Sequence, residues 1–513
     1  MLADAATAER AAFDRPFDVC VVGAGPAGIT LAQRLAARGL DVALMEAGEL
    51  DYCDDSQAFY AGEIVGLPQA PCEESRLRCF GGTSGHWEGK CRAFEAEDLA
   101  PRPWMPLSGW PIGLAELAPH APEAAAILDL DACENPPDGP LAEPSDRFRH
   151  VVWRMSPPTR FGDKYRAEVI AAPRITLGVR ATLVDLRLSD DARTVATGVF
   201  RAWGGLEPTF TVTARAFALC MGGLENARTL LNCRSRVAAG IGNGSDLVGR
   251  YFCDRPAVAT GNLLLAEAIG HEERYFTPTP ALAAEQGLAR CALAIEPRAV
   301  HPGYSFLNLV STTAGCIAPR IARMLDEIRD RRAASCYYGG LEEVAIRLAP
   351  DSHPVAVVGI SLEQRLNPDS SVRLCHSTDP FGLHRVELDW RLTADDYRTM
   401  QTATVAFGGF LAEQGVGRLK VRDWLLEDDP RLPELGTGQG MIAGRQHMCT
   451  TRMSPSPAAG VVDTDCRIHG MTNLYVAGSS VFPTPGFAKP TFTIVQLALR
   501  LGDHMSAQLA PQL

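Results

Sequence analysis

The sequence is short of several things, and each shortage removes a class of function. No stretch approaches the ~18–20 consecutive apolar residues of a membrane-spanning helix, so no membrane span is expected. Basic residues are outnumbered by acidic ones, 49 to 61, for a net charge of −12. That balance argues against nucleic acid as a partner, which draws basic surfaces, and against docking on an anionic membrane. Residues 1–16 lack the basic-then-apolar pattern of an export signal. They are expected to form a short frayed or helical arm before the first strand, in a cytoplasmic protein. There is no C-x-x-C among the fifteen cysteines and no Cys/His cluster at zinc-like spacing, so no metal site is expected. Cys20, Cys220 and Cys291 sit in apolar runs, where cysteine behaves as a small hydrophobe. Internal repeats and low-complexity tracts are missing too.

What remains is an ordinary globular composition, 46% hydrophobic and 21% charged. At 513 residues the chain is too long for one core and suggests two domains. The most telling stretch is at the start. Phe17 to Val22 is a short apolar run suited to a buried parallel strand. It ends in Gly23-Ala24-Gly25-Pro26-Ala27-Gly28, and Ile29 to Gly39 follow as an amphipathic helix closed by glycine. Leu40 to Glu46 is a second strand with a terminal acid, 23 positions beyond Gly23. In such a unit Gly23 makes the tight turn, Gly25 lets the backbone approach a pyrophosphate, and Gly28 lets helix and strand pack. The helix N-terminus offers N–H groups to the phosphates, and Glu46 suits a ribose diol with a free 2′-OH. The unit implies a dinucleotide and does not separate NAD from FAD.

Further on, Arg76 to Trp87 holds Gly81, Gly82 and Gly85 with Thr83, Ser84 and His86. The glycines permit close backbone approach to a flat ligand, though a surface loop with one satisfied histidine explains the spacing equally well. Trp104 to Ile112 is a rigid connector, and Leu114 to Leu130 is helical with breaks near Pro119 and Pro122. Short strands follow between residues 174 and 212. A last one, Ala216–Met221, runs into a glycine turn and a helix, which suggests a return to the first sheet. Over 257–440 the strands Val355–Glu363 and Val386–Trp390 are mixed with a charged helix near Ile317–Arg332, without crossover units. That pattern predicts a second, largely antiparallel domain. Near the end, a strand leading to Gly478 and Ser479 precedes an apolar-faced helix, Thr491 to Met505, behind Pro490.

With these pieces in order, the sequence resembles the glucose–methanol–choline (GMC) family of FAD-dependent oxidoreductases, from about residue 15 to 508. Within it, the pattern is closer to bacterial sugar and polyol dehydrogenases and pyranose oxidase. The motifs are Gly23–Gly28 with Glu46, Gly81–Trp87, Ser156–Gly162, Gly222–Arg228, Leu247–Phe252, Asn367–Ser370, and Thr450 through Thr493. The resemblance implies an α/β fold: a discontinuous Rossmann-like FAD domain and a mostly antiparallel α+β substrate domain roofing the flavin ring. The expected division is 13–112, 165–256 and 440–513 for FAD, and 113–164 with 257–439 for substrate. By resemblance, Gly81, Gly82, Thr83 and Ser84 line the flavin and pyrophosphate. Gly478, Ser479 and the segment Phe487 to Thr491, with Pro490, stand near the ring. His86 falls where pyranose oxidase joins a histidine covalently to the flavin; non-covalent FAD is the expectation here. The family oxidises C–OH groups of small molecules and passes electrons to oxygen, a quinone or a cytochrome.

The chain departs from the family at its chemical centre. Oxidising an alcohol requires a group to take the hydroxyl proton. The family supplies a histidine in H-x-x-G-T-x-x-M and a His or Asn 43 positions later. Here the stretch is Gln446-His447-Met448-Cys449-Thr450, and the partner position is Lys489. Gln446 cannot serve as a base. His447 could take over, or stay structural. Lys489 could be a base if desolvated, or remain a cation that holds an anion. The expected substrate is then a polyol, a sugar-like molecule, or an acidic or specialised metabolite. The altered pair also keeps open a flavin enzyme without net redox turnover (lyase, isomerase or decarboxylase) and a degenerate flavin-binding subunit. Arg255, where relatives often carry histidine, is expected in a surface salt bridge, with added positive potential near the pocket as the other reading.

Overall fold

The computed structural model describes residues 1–131, 145–204, 209–267, 269, 273–298, 355–430, 432 and 442–510. Its first layer is a six-stranded, wholly parallel sheet in the order Leu2–Asp4, Ile175–Val179, Val42–Met45, Phe17–Val22, Ala214–Leu219 and Leu474–Val476. The unbroken apolar runs explain this. Val19 to Val22 and Val42 to Met45 are buried on both faces, as a covered parallel sheet requires. Helices Pro26–Ala37 and Thr491–Leu509 pack together on this sheet, and Arg34 of one pairs with Asp503 of the other at 2.7 Å. Ala216–Met221 was expected to rejoin the first sheet, and its strand lies directly beside Phe17–Val22.

The second sheet is antiparallel. Gly417–Val421, Pro256–Leu265, Val355–Leu362, Cys291–Arg298, Arg274–Pro278 and Phe148–His150 follow one another, and Ile442–Ala443 pairs with the start of Pro256–Leu265. Helix Ala394–Glu413 lies on it through Phe407 and Phe410, which meet Phe148 and Phe276 at 5.1–6.3 Å between ring centroids. A three-stranded antiparallel meander, Ala181–Leu188, Val195–Ala202 and Thr209–Val212, hangs beside the first sheet. The expected helix near Ile317–Arg332 lies outside the described residues.

One expectation needs correction. Residues 1–16 are not merely a frayed or helical arm. Leu2–Asp4 adds an edge strand to the parallel sheet before a short 3₁₀ turn, Ala8–Phe13. Ala3, Ala5 and Phe13 are fully buried there, and that apolar burial holds the segment down. Beyond the expected boundary at residue 113 the chain packs on the C-terminal helix. The helical turns Leu114–Leu117 and Ala121–Ile127 rest on Thr491–Leu509, where Gln496 Nε2 donates to the Leu117 carbonyl at 2.9 Å. Arg34 adds a 3.2 Å ion pair to Glu123. This segment sits on the nucleotide side, and Phe148–His150 is the first residue set of the stretch to join the antiparallel sheet.

Candidate functional site

The strand Phe17–Val22 ends where Gly23 turns the chain with φ +100°, and a Cβ there would stand 2.8 Å from the Cys220 carbonyl oxygen. A Cβ on Gly28 would lie 1.8 Å from the Gly23 oxygen, so helix and strand meet there only through glycine. Gly25 caps helix Pro26–Ala37, with Pro26 in its first turn. Gly82 passes so near that a Cβ on it would be 3.0 Å from the Gly25 Cα. Two backbones thus form a slot free of side chains at a helix N-terminus, the arrangement that accepts a pyrophosphate. Glu46 completes it. One carboxylate oxygen accepts from Ala24 N–H and the other from Gly48 N–H, both at 2.8 Å, leaving each a lone pair for a ribose hydroxyl. The residues fit a dinucleotide.

The second glycine loop is no surface loop. Arg76 and Arg78 are buried; Arg76 pairs with Glu225 at 2.9 Å, Glu225 with Arg228 at 3.1 Å, and Arg228 with Asp379 at 2.7 Å. Ser84 Oγ donates to the Gly81 carbonyl and accepts from Phe161 N–H, which fixes the turn Gly82–His86. A cavity of about 610 Å³ runs along this turn, within the ~300–1,000 Å³ usual for ligand clefts. It is lined by Gly23, Gly25 and Glu46, by Gly82, Thr83, Ser84 and His86, and by Gly478, Ser479, Pro490 and Thr491. Gln446, His447 and Lys489 line it as well. Gly28 and Gly81 stand behind the wall. The first packs on Gly23, and a Cβ on Gly81 would lie 2.3 Å from Gly162 N. Gly81 therefore permits a backbone crossing.

The three residues of the altered catalytic stretch come together in one cavity, each tied differently. Gln446 accepts from Arg255 Nε–H at 3.2 Å through its amide oxygen, and its own N–H donates to Asp254 at 2.9 Å. Arg255 is buried and not at the surface: the position beside Gln446 draws it inward, where its charge acts on Lys489. His447 is buried between Gly223, whose Cβ would touch its carbonyl, and Phe252, 5.9 Å away between rings. Its Nε2 has no hydrogen-bond partner among the described residues. Burial, with the nearby Arg76 charge, pushes its pKa down to about 3, so the ring is neutral and a weak base. Lys489 bonds to the Glu88 carboxylate. Burial and Arg255 lower its pKa against the opposing pull of Glu88. Burial alone would raise Glu88, but Lys489 holds it below its ordinary range. His86 is lowered by burial, Arg445 and Arg160 and is neutral at pH 7.

The His447 environment predicts an acid-labile fold. Its folded pKa of about 3 lies below the unfolded value near 6.5, so the unfolded chain binds the extra proton between those limits. The associated stability is full above pH 6.5 and is lost as pH falls toward 3. Between pH 7 and pH 4 the loss is on the order of 3 kcal/mol, at 1.36 kcal/mol per unit. His447→Asn should shrink the difference between denaturation curves at those two pH values by that amount; an unchanged difference would place the ring in water.

Sequence reasoning missed Glu88 and Arg445, which also line the cavity. Glu88 had a signal: it follows Trp87 at the end of the glycine-loop motif. Arg445 had one as well, since it adjoins Gln446. Among the described residues, no group of three or more His, Cys, Asp or Glu is placed to hold a metal, and no helix is long and apolar enough to cross a membrane.

Comparison with known proteins agrees with this geometry. Residues 21–49 match an NAD(P)-binding Rossmann-like domain and residues 367–498 match the GMC oxidoreductase domain. The chain is 26% identical to paromamine 6′-oxidase of Streptomyces fradiae, over 97% of this chain and 92% of that protein. It is 24% identical to 6‴-hydroxyparomomycin C oxidase of Streptomyces lividus over the same shares. Among solved structures, pyridoxine 4-oxidase from Mesorbium loti superposes with a TM-score of 0.56 at 17% identity, covering 95% of this chain and 99% of that one. A fungal aryl-alcohol oxidase superposes with a TM-score of 0.58 at 15% identity, covering 96% and 99%. The chain carries a GMC oxidoreductase domain over residues 367–498 behind a Rossmann-like dinucleotide cradle, and the dinucleotide this cradle takes is FAD.

Proposed function

We propose that this protein oxidises a C–OH group of a sugar-like or polyol small molecule, with oxygen as the electron acceptor. One observation carries the reading. A single cavity is lined both by the FAD cradle at Gly23, Gly25 and Glu46 and by the altered catalytic stretch at Gln446, His447 and Lys489. The curated relatives that span the chain are named as oxidases, of paromamine and of 6‴-hydroxyparomomycin C, and a third that matches 34% of it is named a C-glycoside 3-oxidase, which supports both substrate class and acceptor. When bound, the flavin supplies the two-electron acceptor. The chain supplies the rest. Gln446 and Lys489 offer hydrogen-bond donors to a substrate oxygen. Ser479 Oγ holds the His447 backbone carbonyl at 2.8 Å and so fixes the wall, while Pro490 and Thr491 close it. The cofactor is held without a covalent bond. His86 is neutral in this reading and stacks or hydrogen-bonds beside the ring.

The weakness of the available bases favours one alternative, a flavin enzyme of the same fold without net turnover of electrons. Gln446 has no basic site to take up a proton, and His447 is too weak a base to drive transfer near neutral pH. An anaerobic spectral screen separates the two. The purified yellow protein, mixed with sugars, polyols and hydroxy acids, should lose its 450 nm-region absorbance with at least one of them and regain it in air. Acid precipitation of the same protein should leave the flavin in the supernatant. A flavin that stays oxidised with every substrate it binds would overturn the oxidase reading, and a yellow pellet would assign His86 a covalent bond.

A further inference from the structure

The reactive end of the cavity is unusually rich in donors. Family members place a proton-accepting histidine there; this chain places an amide whose accepting half is already occupied. Arg255 Nε–H can only donate, so it fixes the Gln446 amide with the oxygen toward itself and the NH₂ group turned away. That NH₂ group has no partner among the described residues. Lys489 has three donor protons and uses one on Glu88. Arg445 is exposed in the cavity wall, with backbone φ +53°, and its N–H is held by Asp254 at 3.1 Å. Its guanidinium makes no hydrogen bond or ion pair to any described residue. Two acids stand at this end: Glu88 is committed to Lys489, and Asp254 accepts from the backbone N–H groups of Arg255, Arg445 and Gln446. His86, close enough to feel the Arg445 charge, is neutral.

From this set we infer that Arg445, Gln446 and Lys489 form a carboxylate subsite, and that the substrate carries a carboxylate besides the C–OH group. The inference rests on the C–OH oxidation proposed above and narrows its substrate to a hydroxy acid such as an aldonate or uronate. A guanidinium matches a carboxylate in a bidentate fork, and Gln446 and Lys489 supply further donors beside it. Glu88 meets the Lys489 charge, which leaves Arg445 as a cation at this end whose guanidinium is bonded to no anion among the described residues. A neutral sugar would leave Arg445 unmatched, and an ammonium sugar would meet repulsion from Arg445, Arg255 and Lys489.

The test uses the flavin-loaded protein and matched probes: gluconate and glucuronate against glucose and glucosamine. Binding is read by calorimetry and by flavin difference spectra, and turnover by anaerobic bleaching. An acid member should bind roughly 10- to 100-fold more tightly than its uncharged parent, and Arg445→Gln should erase that preference while the resting flavin spectrum stays the same. Tighter binding of glucose or glucosamine than of the acids, or an acid preference that survives Arg445→Gln, would overturn the subsite. So would the absence of saturable binding by either acid. The two readings fail separately. Bleaching by a neutral or amino sugar alone removes the subsite and keeps the oxidation. Arg445-dependent binding of acids with no bleaching by any probe removes the oxidation and keeps the subsite.

Discussion

Gly28→Ala should yield a colourless protein. The added Cβ would sit 1.8 Å from the Gly23 carbonyl oxygen and 3.3 Å from the Cys220 Cβ. Real atoms cannot approach so closely, so helix Pro26–Ala37 must back away from the strand Phe17–Val22. Over-packing of this kind costs about 1–3 kcal/mol, and here the shift falls on the cofactor site itself. Gly23 and Gly25 form the slot against Gly82, and Ala24 N–H is one of the two donors that orient Glu46. Moving the helix therefore disturbs the pyrophosphate and ribose contacts together. The measurement is the ratio of flavin to protein absorbance after purification with excess FAD, beside Gly113→Ala as a control. Gly113 has φ −105°, and a Cβ there meets nothing within 4 Å, so that variant should stay yellow. A fully yellow Gly28→Ala protein would mean that the close packing of helix on strand does not set the cradle.

Much of this fold could be read along the chain because its signals are local. The strand–glycine–helix unit at Phe17–Ala37 and the return strand at Ala214–Leu219 are set by continuous apolar runs and glycine turns. Those features need no knowledge of what packs on them. The same holds for Gln446 and Lys489 as neighbours in one cavity, since their separation in sequence is a family spacing. What could not be read depends on partners distant in sequence. Leu2–Asp4 looks like an arm until Ile175–Val179 offers it an edge. Nothing in residues 114–127 shows that they will rest on Thr491–Leu509. Arg255 reads as a surface charge because nothing near it in sequence shows that Gln446, 191 positions away, will take its hydrogen bond. The place of Glu88 beside the loop motif was legible, but its pairing was not: its partner Lys489 lies 401 positions on. Side-chain pairing across the chain, and not secondary structure, is what decided the chemistry of the site.

That dependence on distant pairing is sharpest around Phe487, two residues before Lys489. Phe487 is fully buried, with the Arg92 guanidinium 4.7 Å and the Arg290 guanidinium 5.3 Å from its ring centroid. Trp153 stands edge-on to the same ring at 6.5 Å. Both guanidinium groups are anchored by Asp98, at 3.2 Å and 3.0 Å, and this carboxylate is buried. Burial alone would raise its pKa; Arg290 and Arg92 hold it below the ordinary carboxylate range. Glu95, half open to solvent, shares the same two arginines at 2.6 Å and 3.2 Å. Asp98→Asn would leave the two buried cations sharing only the half-open Glu95 carboxylate, and its new NH₂ group would face an arginine. Breaking a buried pair from one side costs about 3–5 kcal/mol, a loss that chemical denaturation of the flavin-loaded protein should show. The functional consequence follows from position. With the arginines released, the turn carrying Phe487 and Lys489 loses the cation–aromatic contacts that hold it, and turnover should fall more than substrate affinity. A variant with the parent's stability would show that Glu95 suffices to hold both arginines. Full stability loss with an unchanged kcat would show that the Lys489 turn is held by other contacts.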